Sequence, residues 1–109
     1  MSMTAISEAW QLLTSAHRVL RSLPGSADDR QLWQIIDPAE VAIQTGIAAG
    51  PDDVANQIKL ALLHTLPLRD DEAVVLWGDT DSLCERSADL DWNVRLMLSA
   101  LRSLQAMGA

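Results

Sequence analysis

The sequence predicts an all-α protein: a compact bundle of about four principal helices, packed mainly antiparallel. Three observations predict it. Hydrophobic residues make up 49% of the chain, drawn from Leu, Ala, Ile and Val with four Trp and neither Phe nor Tyr, a composition that favours helix. Apolar residues recur at spacings of three and four, and no period-two alternation long enough for a strand occurs. Pro24-Gly25-Ser26, Gly50-Pro51 and Pro67-Leu68-Arg69 punctuate the chain, and connections this short join antiparallel neighbours. At 109 residues the chain is expected to form one domain, 1–109, in which folding hides about two-thirds of the unfolded surface.

The first helix is expected from Ala5 to Leu23, capped by Thr4 or Ser7. Ile6, Trp10, Leu13, His17 and Leu20 repeat at spacings of four and three, the seam that one helix shows a neighbour, and Leu12, Ala16 and Val19 widen it. Pro24-Gly25-Ser26 ends it. The second helix is expected over 28–49. Asp37-Pro38-Ala39-Glu40 within it reads as a fresh helix start, with an acidic cap, Pro in the first position and Glu in the third. The expectation is therefore a helix kinked at Pro38, or two short ones. Ala39, Ala42, Gly46 and Ala49 then form a row of small residues that admits another helix closely, beside a bulky row of Ile36, Ile43 and Ile47.

Gly50-Pro51-Asp52-Asp53 opens the third helix, with two carboxylates at its positive end. Val54, Ile58, Ala61, Leu62 and Leu66 are expected inward, Asn56, Lys59 and Thr65 outward, and Pro67 closes it. Asp70, Asp71 and Glu72 begin the fourth helix. Its continuity depends on Trp77-Gly78-Asp79-Thr80: Gly is about 1 kcal/mol worse than Ala in a helix, and Ser82-Leu83-Cys84-Glu85 offers another capping box. A kink or break near Gly78 is expected. In the last stretch Leu90, Val94, Met97, Leu101 and Leu104 form one stripe, with Trp92, Leu96, Ala100 and Met107 a second beside it. Together they cover roughly 200° of the helix, leaving Asp91, Arg95, Ser99 and Arg102 as a narrow wet strip. Such a helix is either central in its own fold or covered by another molecule.

Eight Lys and Arg stand against fifteen Asp and Glu, a formal charge of −7. That balance lacks the cationic footprint needed to neutralise phosphates, so direct binding to nucleic acid or to an anionic membrane is not expected. Cys84 is the only cysteine; no internal disulfide can form, and a reducing cytoplasm fits best. No segment approaches the roughly 18 apolar residues of a membrane span, and Met1-Ser2-Met3-Thr4 lacks the basic start of a signal peptide.

Chemistry is sparse. Asp79-Thr80-Asp81-Ser82 opens like a calcium loop, but Cys84 stands where that loop needs Gly and Leu90 where it needs Glu; helix capping explains the same residues. His17 and His64 have no metal-ligating side chain three or four positions away, so each is read as a core or boundary histidine. Cys84 has no reactive-cysteine signature, and Asp81 and Glu85 beside it oppose a thiolate. The pairs Asp28-Asp29, Asp52-Asp53 and Asp70-Asp71 each fall at a helix start, where capping accounts for them. Trp10 is expected in the core, Trp33 partly exposed on the face of Asp37, Glu40 and Gln44, and Trp92 on the extra stripe. No catalytic, cofactor or metal residues are assigned, and enzyme activity is not expected.

The run Asp37-Pro38-Ala39-Glu40-Val41-Ala42-Ile43, followed by Gly50-Pro51-Asp52-Asp53-Val54-Ala55 and a leucine-rich helix, resembles small uncharacterised helical proteins of bacterial genomes. The resemblance covers residues 28–66 and rests on helix punctuation; it implies an all-α fold and transfers no activity, and the Gly78 region has no counterpart in it. The expected function is that of a non-enzymatic interaction protein, a symmetric homodimer or the dock of a partner protein's helix, with Trp92, Leu96, Ala100 and Met107 at the contact. Two alternatives are a small-molecule-binding bundle with a pocket of Trp and Met touched by His17 or His64, and an acidic regulator covering the basic surface of a nucleic-acid-binding protein.

Overall fold

In the computed structural model, which describes residues 3–23, 29–66, 69–86 and 89–108, the protein is all-helical, with no strand among the described residues. Where about four principal helices are expected, the described residues form six: α1 (Ala5–Ser22), α2 (Arg30–Thr45), α3 (Pro51–Thr65), α4 (Arg69–Trp77), α5 (Asp81–Cys84) and α6 (Trp92–Gly108). They fall into two units, Met1–Ala49 and Gly50–Ala109. No helix of the described residues is long and apolar enough to cross a membrane. The expected breaks at Pro24-Gly25-Ser26 and Pro67, and the expected start at Asp28, lie outside the described residues.

In the first unit α1 packs against α2. α1 starts because Thr4 leaves the helical region and its Oγ1 accepts a hydrogen bond from the Ser7 backbone N–H at 3.0 Å, satisfying one of the donors a helix start leaves open. Thr4→Ala is expected to lower stability by about 1 kcal/mol. Urea unfolding measures the loss, and a variant as stable as the wild type would show the cap to be without weight.

The buried side of α1 is Ile6, Ala9, Leu13 and Ala16. Trp10, His17 and Leu20, expected on the seam, are half-buried, and Leu12 and Val19 do not widen it but stand exposed. The reason is geometric: Ile6, Ala9, Leu13 and Ala16 already make a complete stripe at spacings of three and four, which puts Leu12 and Val19 on its flank.

α2 is one helix, not two, and runs through Pro38. A proline removes a single backbone donor, and the strongly buried Ile36, Ala39 and Ile43 lie on both sides of it, so packing holds the register that propensity alone would interrupt. α2 ends at Thr45, with the Gly46 N–H donating to the Ala42 carbonyl at 3.0 Å. That end comes four residues before the expected one and leaves Ile47 outside the helix, 95% exposed; its expected place in the bulky row fails because the helical register has already stopped.

In the second unit α3 packs on α6 and α4, and α5 on α6. Gly50 is the N-cap of α3 and Pro51 its first residue, as the punctuation implies. The core joins Ala55, Leu62 and Leu66 to Val75, Leu83, Val94, Leu98 and Leu101, with Ile58, Leu63, Val74, Cys84, Leu90 and Met97 packed against it. Ala55 and Leu60 are buried in place of the expected Ala61, which is exposed. α3 is thus turned from its expected orientation, because a helix so evenly apolar gives its own sequence little means of choosing a face.

α4 ends at Trp77, and the Gly78 N–H closes its last turn on the Val74 carbonyl at 2.8 Å. Ser82 does not cap α5. The N-cap is Thr80, which makes no side-chain cap hydrogen bond; before it Asp79 Oδ1 accepts from the Asp81 N–H at 3.0 Å, while the Ser82 hydroxyl donates back to the Asp79 carbonyl at 2.9 Å. The carboxylate that resembled a calcium ligand is a turn-former. Asp71, in the first turn of α4, is 5% exposed; Arg86 Nη2 donates to its Oδ2 at 3.0 Å, tying the start of α4 to the segment after α5 and keeping a buried charge paired.

Candidate functional site

α6 has one buried and one exposed apolar face. Val94, Leu98 and Leu101 are sealed at 3%, 2% and 0% exposure, with Met97 and Leu104 half-buried beside them. Leu98 belongs to neither expected stripe; at 100° per residue it sits between Val94 and the wet strip, and it is part of the core of this unit. On the far side lie Trp92, Leu96 and Met107, exposed by 71%, 62% and 72%, with Ala100 and Ser103 exposed between them. The spacing from Trp92 through Leu96, Ala100 and Ser103 to Met107 is four, four, three and four, so these five residues run as one line along the helix. A scattered exposed Leu needs no explanation, but an aligned Trp, Leu and Met does.

The electrostatics of this helix are distinctive. α6 carries Arg95 and Arg102, both exposed, and no carboxylate, in a chain of net charge −7. Arg95, Ser99 and Arg102 border a shallow cleft of about 220 Å³ with Cys84 and Leu98. Cys84 is half-buried, packed on the core as the reading of a small hydrophobe implies. Its two arginine neighbours are absent from the local sequence and arrive only through the packing of α5 on α6.

A second apolar surface lies in the first unit. Residues of α1 and α2 line a groove of about 460 Å³, with the exposed Leu12, Ile35 and Pro38, the alanines Ala9, Ala39 and Ala42, and Glu8 among its lining. Leu12 is 57% exposed and Ile35 44%. Sequence reasoning missed this groove because it assigned Leu12 inward. The signal that finds it is the small row Ala39-Ala42, whose neighbours on α2 are the exposed Ile35 and Pro38.

The histidines take separate paths. His17 is half-buried and stands roughly perpendicular to the Trp33 ring, at a centroid distance of 6.0 Å and an interplanar angle of 85°; the Trp33 indole N–H donates to Asp29 Oδ2 at 3.2 Å. The pair orients both rings and links α1 to α2. His64 is exposed on α3. Trp10 is half-buried, short of the full core position expected of it. Burial on α3 pushes the Lys59 ammonium pKa down, with the Asp52 carboxylate pulling the other way.

Among the described residues no three His, Cys, Asp or Glu side chains converge as metal ligands. Comparison of the chain with family models, with curated proteins and with solved structures gives no match. The functional reading rests on the exposed chemistry of the molecule itself.

Proposed function

We propose that the protein is a non-enzymatic interaction protein that self-associates as a symmetric homodimer in the cytoplasm, with Trp92, Leu96, Ala100 and Met107 contributing to the contact. The observation that carries the reading is the aligned exposure of Trp92, Leu96 and Met107 on a helix whose opposite face is closed at Leu101, 0% exposed. Burying such side chains removes about 1.5–3 kcal/mol each of apolar hydration free energy, and Trp is the residue type most often at the energetic centre of an interface.

Light scattering on the full chain tests it. The wild type is expected at twice its chain mass of 11.9 kDa, and Leu96→Asp at the single-chain mass with its helical circular dichroism unchanged, since position 96 lies outside the core. A wild-type chain that scatters as a monomer at hundreds of micromolar overturns the reading.

A second reading, a small-molecule-binding helical domain, is favoured by the groove between α1 and α2, whose volume of about 460 Å³ lies in the range of ligand pockets. Its walls differ from those expected of such a site: among the described residues neither Trp, Met nor His borders it. Thermal stabilisation by an apolar metabolite, abolished by Leu12→Asp, would select this reading over the first.

A further inference from the structure

We propose that the cleft lined by Cys84 of α5 and by Arg95, Ser99 and Arg102 of α6 binds the phosphate group of a small metabolite, held by the two guanidiniums with the Ser99 hydroxyl between them. The site does not depend on the self-association proposed above. At 100° per residue its three α6 positions fall within about 60° of arc, roughly 90° round the helix from the Trp92–Leu96–Ala100 line. The two surfaces are therefore separable by mutation.

Charge pairing singles out these two arginines. Arg86 is held by Asp71 at 3.0 Å, and Arg18, Arg21, Arg30 and Lys59 each have an interaction partner. Among the described residues the guanidiniums of Arg95 and Arg102 have none, in a chain that carries fifteen Asp and Glu. Both line one cleft of about 220 Å³ together with Ser99, Leu98 and Cys84, and no carboxylate is part of that lining. Their donors are thus open to an anion from outside. Leu98, 2% exposed, backs the cleft with apolar surface, beside which a charge-assisted hydrogen bond is stronger than in open water.

Spacing fits a phosphate. Arg95 and Arg102 stand seven residues apart, about 10.5 Å along the helix axis, with Ser99 near the middle, so that a long side chain from each end can reach over the hydroxyl. A phosphate monoester presents three strong acceptor oxygens, and a guanidinium fork matches two of them at once. Size and net charge then select a small ligand. The cleft is below the roughly 300 Å³ at which pockets for drug-sized molecules begin. A polyanion would also feel the chain's charge of −7 over a Debye length of about 8 Å, whereas a small ester meets mainly the local arginine pair.

Cys84 supplies the readout, because it lines the cleft and is the only thiol of the chain. Its alkylation by iodoacetamide in the full chain is followed by mass spectrometry in glycerol 2-phosphate, in sodium succinate and in sodium chloride at equal ionic strength, at a pH above the phosphate second pKa of about 6. The ester is expected to slow alkylation saturably, and chloride to leave it unchanged. In Arg95→Gln and in Arg102→Gln the concentration giving half protection is expected to rise about tenfold or more, as for the loss of a hydrogen bond to a charged group, with helical circular dichroism retained because both positions are exposed. Phosphorus NMR of the ester is the second measurement and does not use the thiol: the wild type is expected to broaden the line, and the doubly substituted chain to leave it sharp. Protection no greater than in chloride together with an unbroadened line, or binding untouched by both substitutions, overturns the site. Succinate protecting in preference to the ester gives the cleft to a dicarboxylate and overturns the phosphate assignment. Leu96→Asp, which tests the dimer, is expected to leave phosphate protection intact, so failure of one proposal is distinguishable from failure of the other.

Discussion

Leu101→Ala is expected to destabilise the second unit by about 2–5 kcal/mol, the range for emptying a buried leucine site. Leu101 is fully buried, and it belongs to a core that also includes Leu62, Leu83, Val94 and Leu98. Its removal takes away apolar burial and leaves a cavity that helices on several sides cannot all close at once. The informative comparison is Leu96→Ala on the same helix. Leu96 is 62% exposed, so at concentrations where the chain is dissociated its loss is expected to change stability by less than about 0.5 kcal/mol. Urea titrations followed by circular dichroism measure both. Equal losses at the two positions would mean that α6 is covered on both faces within one chain, and the interaction surface would disappear with that result.

Gly46→Ala is the second large effect, and it acts on the first unit. A Cβ built on Gly46 stands 2.8 Å from the Ala42 carbonyl oxygen and 2.8 Å from Ile6 Cγ1. Neither neighbour yields easily: one is helix backbone and the other belongs to a side chain 1% exposed. The backbone itself is unstrained, with φ at −72°, so the penalty comes from crowding and not from conformation. Overpacking of this kind costs about 1–3 kcal/mol, which outweighs the roughly 0.4–1 kcal/mol that replacing Gly gains by restricting the unfolded chain. Gly50→Ala is the control, since nothing lies within 4 Å of its Cβ. Faster amide exchange through α1 and α2 in Gly46→Ala alone is the expected signature; unchanged protection in both would show that Ile6 moves aside without loss.

Much of the candidate surface is legible before folding. Trp92, Leu96, Ala100 and Met107 fall on one line of a helix by spacing alone, and the structure leaves all four exposed. The groove is not legible, because its walls are defined by what α1 and α2 fail to cover. Leu12 is apolar and adjacent to the seam, and only the close fit of Ile6, Ala9, Leu13 and Ala16 against α2 leaves it outside. The clustering of Cys84 with Arg95 and Arg102 is likewise invisible in sequence: eleven positions separate Cys84 from Arg95, and no local periodicity spans the turn between their helices.

The sequence alone determined the all-α class and several helix ends, because these follow from short-range chemistry: a threonine oxygen at the start of α1, Gly50-Pro51 before α3, a glycine after α4. Tertiary structure decided which faces are buried, and that α2 passes through Pro38 without dividing. Packing free energy is summed over many contacts from distant segments, and on a chain so evenly apolar it outweighs the few tenths of a kcal/mol by which local preferences differ.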